Sequence, residues 1–153
     1  MTYDDQSWHH DSLDDEGIDD LDAASIHIGM FYAWAYFRGL VTEVRTMHNP
    51  DGPPVLRSVM THHLLAERQI TPGAYVGEYC AGELNASMLT DEGNAFTLER
   101  YSSEHPWYLH AYEALPEIAA LPSIYHAEDS WELYEVVAAM LDSEYEQWTT
   151  APR

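Results

Sequence analysis

Ala23 to Phe37 reads AASIHIGMFYAWAYF and carries no acid or base except His27, in a chain where 22% of residues are charged. Its apolar positions fall on more than one face of a helix. Ile26, Ala33, Phe37 and Leu40 form one stripe, His27, Phe31, Trp34 and Val41 a second, and Ile28, Tyr32 and Ala35 lie between them. A helix that is apolar nearly all round is buried among other elements or crosses a membrane. A span needs roughly 20 apolar residues, and this run is shorter, with His27 and Gly29 inside it. The segment from Asp22 to Val44 therefore predicts a central core helix, capped by Asp22 or Ser25 and stopped or kinked near Gly39.

The flanking sequence predicts more helices. Asn49 to Pro54 (NPDGPP) is a loop, and Val55 to Gln69 is expected to form a second helix. Thr71-Pro72-Gly73 has the order of an N-cap followed by proline at the first helical position, opening a third helix through Cys80 that docks against the first. Thr90 is placed to cap a helix starting at Asp91, and Trp107 to Leu115 makes another. Ser123 to His126 could be extended, and strand content is expected to be small. Asp129 and Glu132 suggest a capping box for a last helix, in which Trp131, Tyr134, Ala138, Leu141, Tyr145 and Trp148 recur three and four apart. The expected fold is mainly all-α: a single-domain, irregular helical bundle (residues 23–153) around a central apolar helix, preceded by an acidic N-terminal arm (residues 1–22). That arm is expected to pack loosely through Trp8 and to leave its acids in water.

Charge narrows the functional classes. The 153 residues hold 27 acids against 6 bases, all of them arginine, for a formal net charge of −21. Such a chain lacks the basic footprint that DNA, RNA or anionic membranes require, so neither nucleic acid nor membrane is expected as a direct partner. It attracts basic partners instead, unless the acidity is a host adaptation to salt or to a GC-rich genome. A single cysteine, Cys80, excludes an internal disulfide and suits a reducing compartment. The acidic start is unlike a secretory or transit peptide, and the expected location is the cytoplasm.

Catalytic signatures are sparse. There is no HExxH, no paired cysteines, no Gly-x-Ser-x-Gly and no phosphate-cradling loop. His126, Glu128, Asp91 and Glu92 are the best available metal ligands, but their spacing does not specify a site, and no cofactor is expected. Cys80 reads as a buried structural thiol and His27 as a hydrogen-bonded core histidine.

Four words of the sequence carry a resemblance. Tyr3-Asp4-Asp5-x-Ser7-Trp8-His9, His27-Ile28-Gly29-Met30-Phe31-x-Ala33-Trp34, Asp91-Glu92-Gly93-Asn94-Ala95-Phe96 and Pro122-Ser123-x-Tyr125-His126-x-Glu128-Asp129-x-Trp131-Glu132 occur in this order over nearly the whole chain. The chain thereby resembles a family of small, acidic, uncharacterised bacterial proteins, similar in character to the immunity proteins that neutralise bacterial toxins. It departs from that family in the last helix, where relatives carry arginines and this chain has Asp142, Glu144 and Glu146 before a terminal Arg153. The resemblance and the charge together lead to an expected role: a non-enzymatic binding protein for a basic partner, a cognate toxin domain. Asp11, Asp14, Asp15, Glu16, Asp19 and Asp20, or Asp142, Glu144 and Glu146, would steer that partner, and Trp8, Trp107 or Tyr32 would anchor it. The alternatives are a small helical metal-dependent enzyme and a protein that mimics DNA.

Overall fold

The computed structural model describes residues 1–152, so Arg153 lies outside the described residues. The chain is mainly helical, with two small antiparallel sheets of two strands each. Strand β1 (Thr2–Asp5) leads through a 3-10 turn at Gln6–His9 into α1 (His10–Asp15), and a second 3-10 turn at Leu21–Ser25 runs directly into α2 (Ile26–Phe37). Every residue of α2 from Ile26 to Ala35 is buried, as its lack of charge predicts. Neither expected side-chain cap forms. Asp20 caps the preceding 3-10 turn, and the Ser25 hydroxyl donates to Gln6 Oε1 at 2.6 Å. Gly39, at φ +73°, ends the helix.

The expected helix over Val55–Gln69 does not form. Asn49 accepts from the Asp51 backbone N–H at 3.1 Å and turns the chain, so that β2 (Val44–Met47) and β3 (Val55–Ser58) pair as a hairpin in the register Val44↔Ser58 and Met47↔Val55. Leu56 and Met60, whose spacing suggests a buried stripe, are exposed. Only α3 (His62–Ala66) remains helical there.

α4 (Pro72–Tyr79) packs across α2 at Gly29, where a β-carbon would stand 2.2 Å from the Pro72 carbonyl oxygen. Thr71 is the N-cap residue of α4, yet its side chain makes no capping bond. The carboxylate of Asp129 takes that role from a distant loop, accepting from Gly73 N and Ala74 N at 2.9 Å each and from the Thr71 hydroxyl at 2.5 Å. Asp129 is therefore not the cap of the last helix. Ser130 caps it, accepting from Leu133 N at 3.1 Å.

β4 (Glu83–Asn85) returns to pair with β1, and α5 (Asp91–Arg100) starts at Thr90 with the expected cap. α6 (Trp107–Ala114), α7 (Pro116–Ala119) and a 3-10 turn at Ile124–His126, in place of the extended segment expected there, lead to α8 (Trp131–Thr150). On α8, Tyr134, Leu141, Tyr145 and Trp148 are buried, and Trp131 and Ala138 pack at the margin of the core.

Candidate functional site

The two groups of acids singled out from the sequence are placed differently. On α1 and the following loop, Asp11, Asp14, Asp15, Glu16, Asp19 and Asp20 are all exposed, and among the described residues none is ion-paired to an arginine. Glu16 Oε2 meets His126 Nε2 at 2.8 Å, and Asp20 caps its 3-10 turn through its Asp22 N contact. Trp8, beside them, is 59% exposed. The N-terminal segment is anchored not by Trp8, as expected, but by Tyr3 and Leu13, which are buried.

The acids of α8 are differently placed. Asp142 accepts from the Trp34 indole N–H at 2.9 Å and pairs with Arg38 at 3.3 Å, while Glu144 pairs with Arg100 at 2.8 Å. Both fasten α8 to the body of the fold, and of the three only Glu146 is exposed. Trp107 is half-buried against the core, and Tyr32 is fully buried, bonded to His62 Nε2 at 2.7 Å and to Arg45.

Of the metal ligands that the sequence offers, His126 is engaged by Glu16, and Glu92 accepts from the Tyr145 hydroxyl at 2.7 Å. His126, Glu128, Asp91 and Glu92 do not converge. Among the described residues the one group of three or more that does is Asp4, His9 and His27.

Local structure explains the convergence. β1 shifts register against β4 between Thr2 and Asp4, so two successive side chains, Tyr3 and Asp4, both turn inward. Tyr3 reaches Asn94 Oδ1 at 2.7 Å. Asp4 meets His27 from the middle of α2 and His9 from the 3-10 turn. Its Oδ1 accepts from Asp5 N at 2.8 Å and His9 Nε2 at 2.7 Å, and its Oδ2 from His27 Nε2 at 2.9 Å and from the Tyr101 hydroxyl. An ionised carboxylate only accepts, so both histidines present Nε2–H, and His9 Nδ1 lies 2.7 Å from the Tyr125 hydroxyl, which can donate or accept. Burial alone would raise the Asp4 carboxyl, but the bonds and charges of His27 and His9 outweigh it and hold the group well below the usual carboxylate range. His27 is a hydrogen-bonded core histidine, and burial lowers its basicity despite the adjacent carboxylate.

The site has an opening beside His9. His9 and Asp4 line a small apolar cleft of about 180 Å³, walled by Trp8, Tyr101, Pro106 and Leu109. Cys80 does not line it; the thiol is buried, with Arg45 Nη1 3.8 Å from its sulfur, and burial pushes the thiol up. Asp4 and His9 are not legible in the sequence as chemical groups, because Asp4 is one of nine acids in residues 1–22. The signal the sequence does hold is that the words carrying the resemblance contain a histidine or an acid each. In the structure, three of those words supply Asp4, His9, His27 and Tyr125 to one network, and the remaining one supplies Asn94 to its neighbour Tyr3.

No curated protein and no solved structure matches this chain. A family described as a domain of unknown function (DUF7832) matches residues 2–127, which include all of the Asp4 network and exclude α8. The chain belongs to the DUF7832 family.

Proposed function

We propose that this chain is a non-enzymatic acidic binding protein that engages a basic protein partner through α1 and the loop after it, in the manner of an immunity protein on a cognate toxin domain. The observation that carries the reading is the exposed run Asp11, Asp14, Asp15, Glu16, Asp19 and Asp20, free of arginine partners and flanked by the exposed indole of Trp8. The acids supply long-range attraction, felt over a Debye length of about 8–10 Å in physiological salt. Trp8, beside the acids, supplies apolar contact and is the kind of residue that dominates binding energy. The different placement of the two groups favours α1 over α8, because Asp142 and Glu144 already have cationic partners.

The test is affinity capture of basic proteins from the native host at low salt, followed by titration of the captured protein against wild type and two variants. Replacing Asp11, Asp14, Asp15 and Asp19 together by lysine should lower affinity by at least tenfold and flatten its salt dependence. Trp8→Ala should weaken binding without changing the salt slope. Affinity that is independent of salt, or unchanged by the charge reversal, overturns the reading.

A further inference from the structure

We propose that Asp4, His9 and His27 form a binding site for a single divalent transition-metal ion of the zinc class, independent of the acidic face of α1. The donor set is two imidazoles and one carboxylate, which selects zinc, iron(II) or cobalt(II) over magnesium and calcium, whose sites are built from oxygen. One ligand atom from each residue lies within 4.8 Å of the others. Metal–ligand bonds of roughly 2.0–2.2 Å place ligand atoms about 3–3.5 Å apart. To admit an ion, the His–Asp separations of 2.7 Å (His9 to Oδ1) and 2.9 Å (His27 to Oδ2) open by about half an ångström, while the widest ligand separation, within 4.8 Å, closes by about an ångström.

The surroundings are those of a held ligand set. Metal-bound histidines normally donate their second ring N–H to an acceptor that fixes the ring. For His9 that acceptor is in place, because the Tyr125 hydroxyl sits 2.7 Å from Nδ1 and can accept as readily as donate. To bind a metal both Nε2 atoms give up their protons: at His9 the N–H that remains is on Nδ1 and donates to the Tyr125 hydroxyl, and at His27 the proton passes to Nδ1 or leaves to solvent. The Asp5 N–H and the Tyr101 hydroxyl hold the two carboxylate oxygens. Three protein ligands leave a further coordination position, and the cleft beside His9 and Asp4 gives water or a small ligand a route to it.

The alternative is that the same groups are held by protons alone, as a staple between β1, the 3-10 turn and α2. Calorimetric titration of chelator-treated full-length protein with Zn²⁺, and the visible spectrum of the Co²⁺ form, separate the two. The expected result is one ion per chain, with Co²⁺ showing the intense absorption of a four- or five-coordinate site. His9→Ala should abolish this binding. Tyr125→Phe, which removes only the partner of His9 Nδ1, should weaken it about 10–100-fold with the helical circular dichroism preserved. His126→Ala, which disrupts a surface His–Glu pair, should leave it unchanged. Zinc binding that is insensitive to both His9→Ala and Tyr125→Phe, or a Co²⁺ spectrum no different from the hydrated ion, overturns the proposal.

Discussion

Gly29→Ala probes the contact on which the helical packing turns. A β-carbon at residue 29 would lie 2.2 Å from Pro72 O, 2.4 Å from Pro72 C and 2.6 Å from Gly73 Cα. Carbon–oxygen contacts in packed proteins settle near 3.3–3.6 Å, so the overlap is about 1 Å. All three atoms are backbone, and no rotamer change relieves the clash. The first turn of α4 is further pinned by the Asp129 carboxylate, which would have to move with it. Overpacking of this kind costs about 1–3 kcal/mol and occasionally more. Alanine recovers about 1 kcal/mol of helix propensity relative to glycine. With a rigid obstacle the cost lies at the upper end, and a net loss of about 2 kcal/mol is expected, or a Tm lower by about 4–8 °C for a domain of this size. The assay is urea unfolding followed by far-UV circular dichroism, with the slope of the transition required to match wild type. Gly52→Ala is the control: the nearest atom to its β-carbon is Asn49 Nδ2 at 3.5 Å, and the change should stay within about 0.5 kcal/mol. If Gly29→Ala is no worse than Gly52→Ala, the α2–α4 contact is not as close as described.

Two further outcomes follow from the cap and from the buried phenols. Asp129→Ala should cost about 2 kcal/mol, because it strips a charge-assisted cap from α4, and Asp129→Asn roughly half as much; faster amide exchange at Gly73 and Ala74 would localise the loss, and a cost below about 0.5 kcal/mol would remove the cap from the account. Burial raises the ionisation of Tyr32, Tyr108 and Tyr112 above the ordinary phenol value, so above pH ~10 the unfolded chain loses protons that the folded chain keeps, and stability falls as pH rises at up to about 1.4 kcal/mol per pH unit for each of the three. Phenolate absorbance should therefore rise in a steep step together with loss of helical circular dichroism, whereas a smooth titration of all eleven tyrosines with the helices intact would contradict their burial.

Where the sequence is legible, a local rule suffices. The apolar run in α2, the Thr90 cap and the stripe on α8 each depend on residues within one or two turns of one another. Where it misleads, a distant residue intervenes. Asp129 looks like the start of α8 because Glu132 follows it three residues on, but its carboxylate serves α4, more than fifty residues away in sequence. The Val55–Gln69 segment has apolar residues at helical spacing, yet the turn at Asn49 gives Val55–Ser58 a strand partner in Val44–Met47. Asp4 is the sharpest case. Nothing local separates it from the neighbouring Asp5; a register shift in a pairing with residues 83–85, more than seventy positions along, turns it inward.

The distribution of charge links the fold to the proposed role. Among the described residues Asp4 is the only buried acid. Three of the arginines, Arg38, Arg68 and Arg100, join Asp142, Glu135 and Glu144 of α8 to the rest of the chain, and a fourth, Arg45, lies over the Tyr32 ring and points at Cys80. Most of the scarce positive charge is thus committed to the α8 side and to the far end of α2. On the α1 side Glu16 meets the imidazole of His126, and among the described residues no acid of residues 11–20 pairs with an arginine. The exposed acids of residues 11–20 are thus left without arginine partners, and a cluster of one sign of charge orients an approaching basic surface as well as attracting it. Trp8 stands at the edge of that cluster, and it also forms one wall of the cleft leading to Asp4 and His9. A partner that covers the indole would therefore cover the mouth of the cleft, joining the exposed face and the buried centre through one side chain.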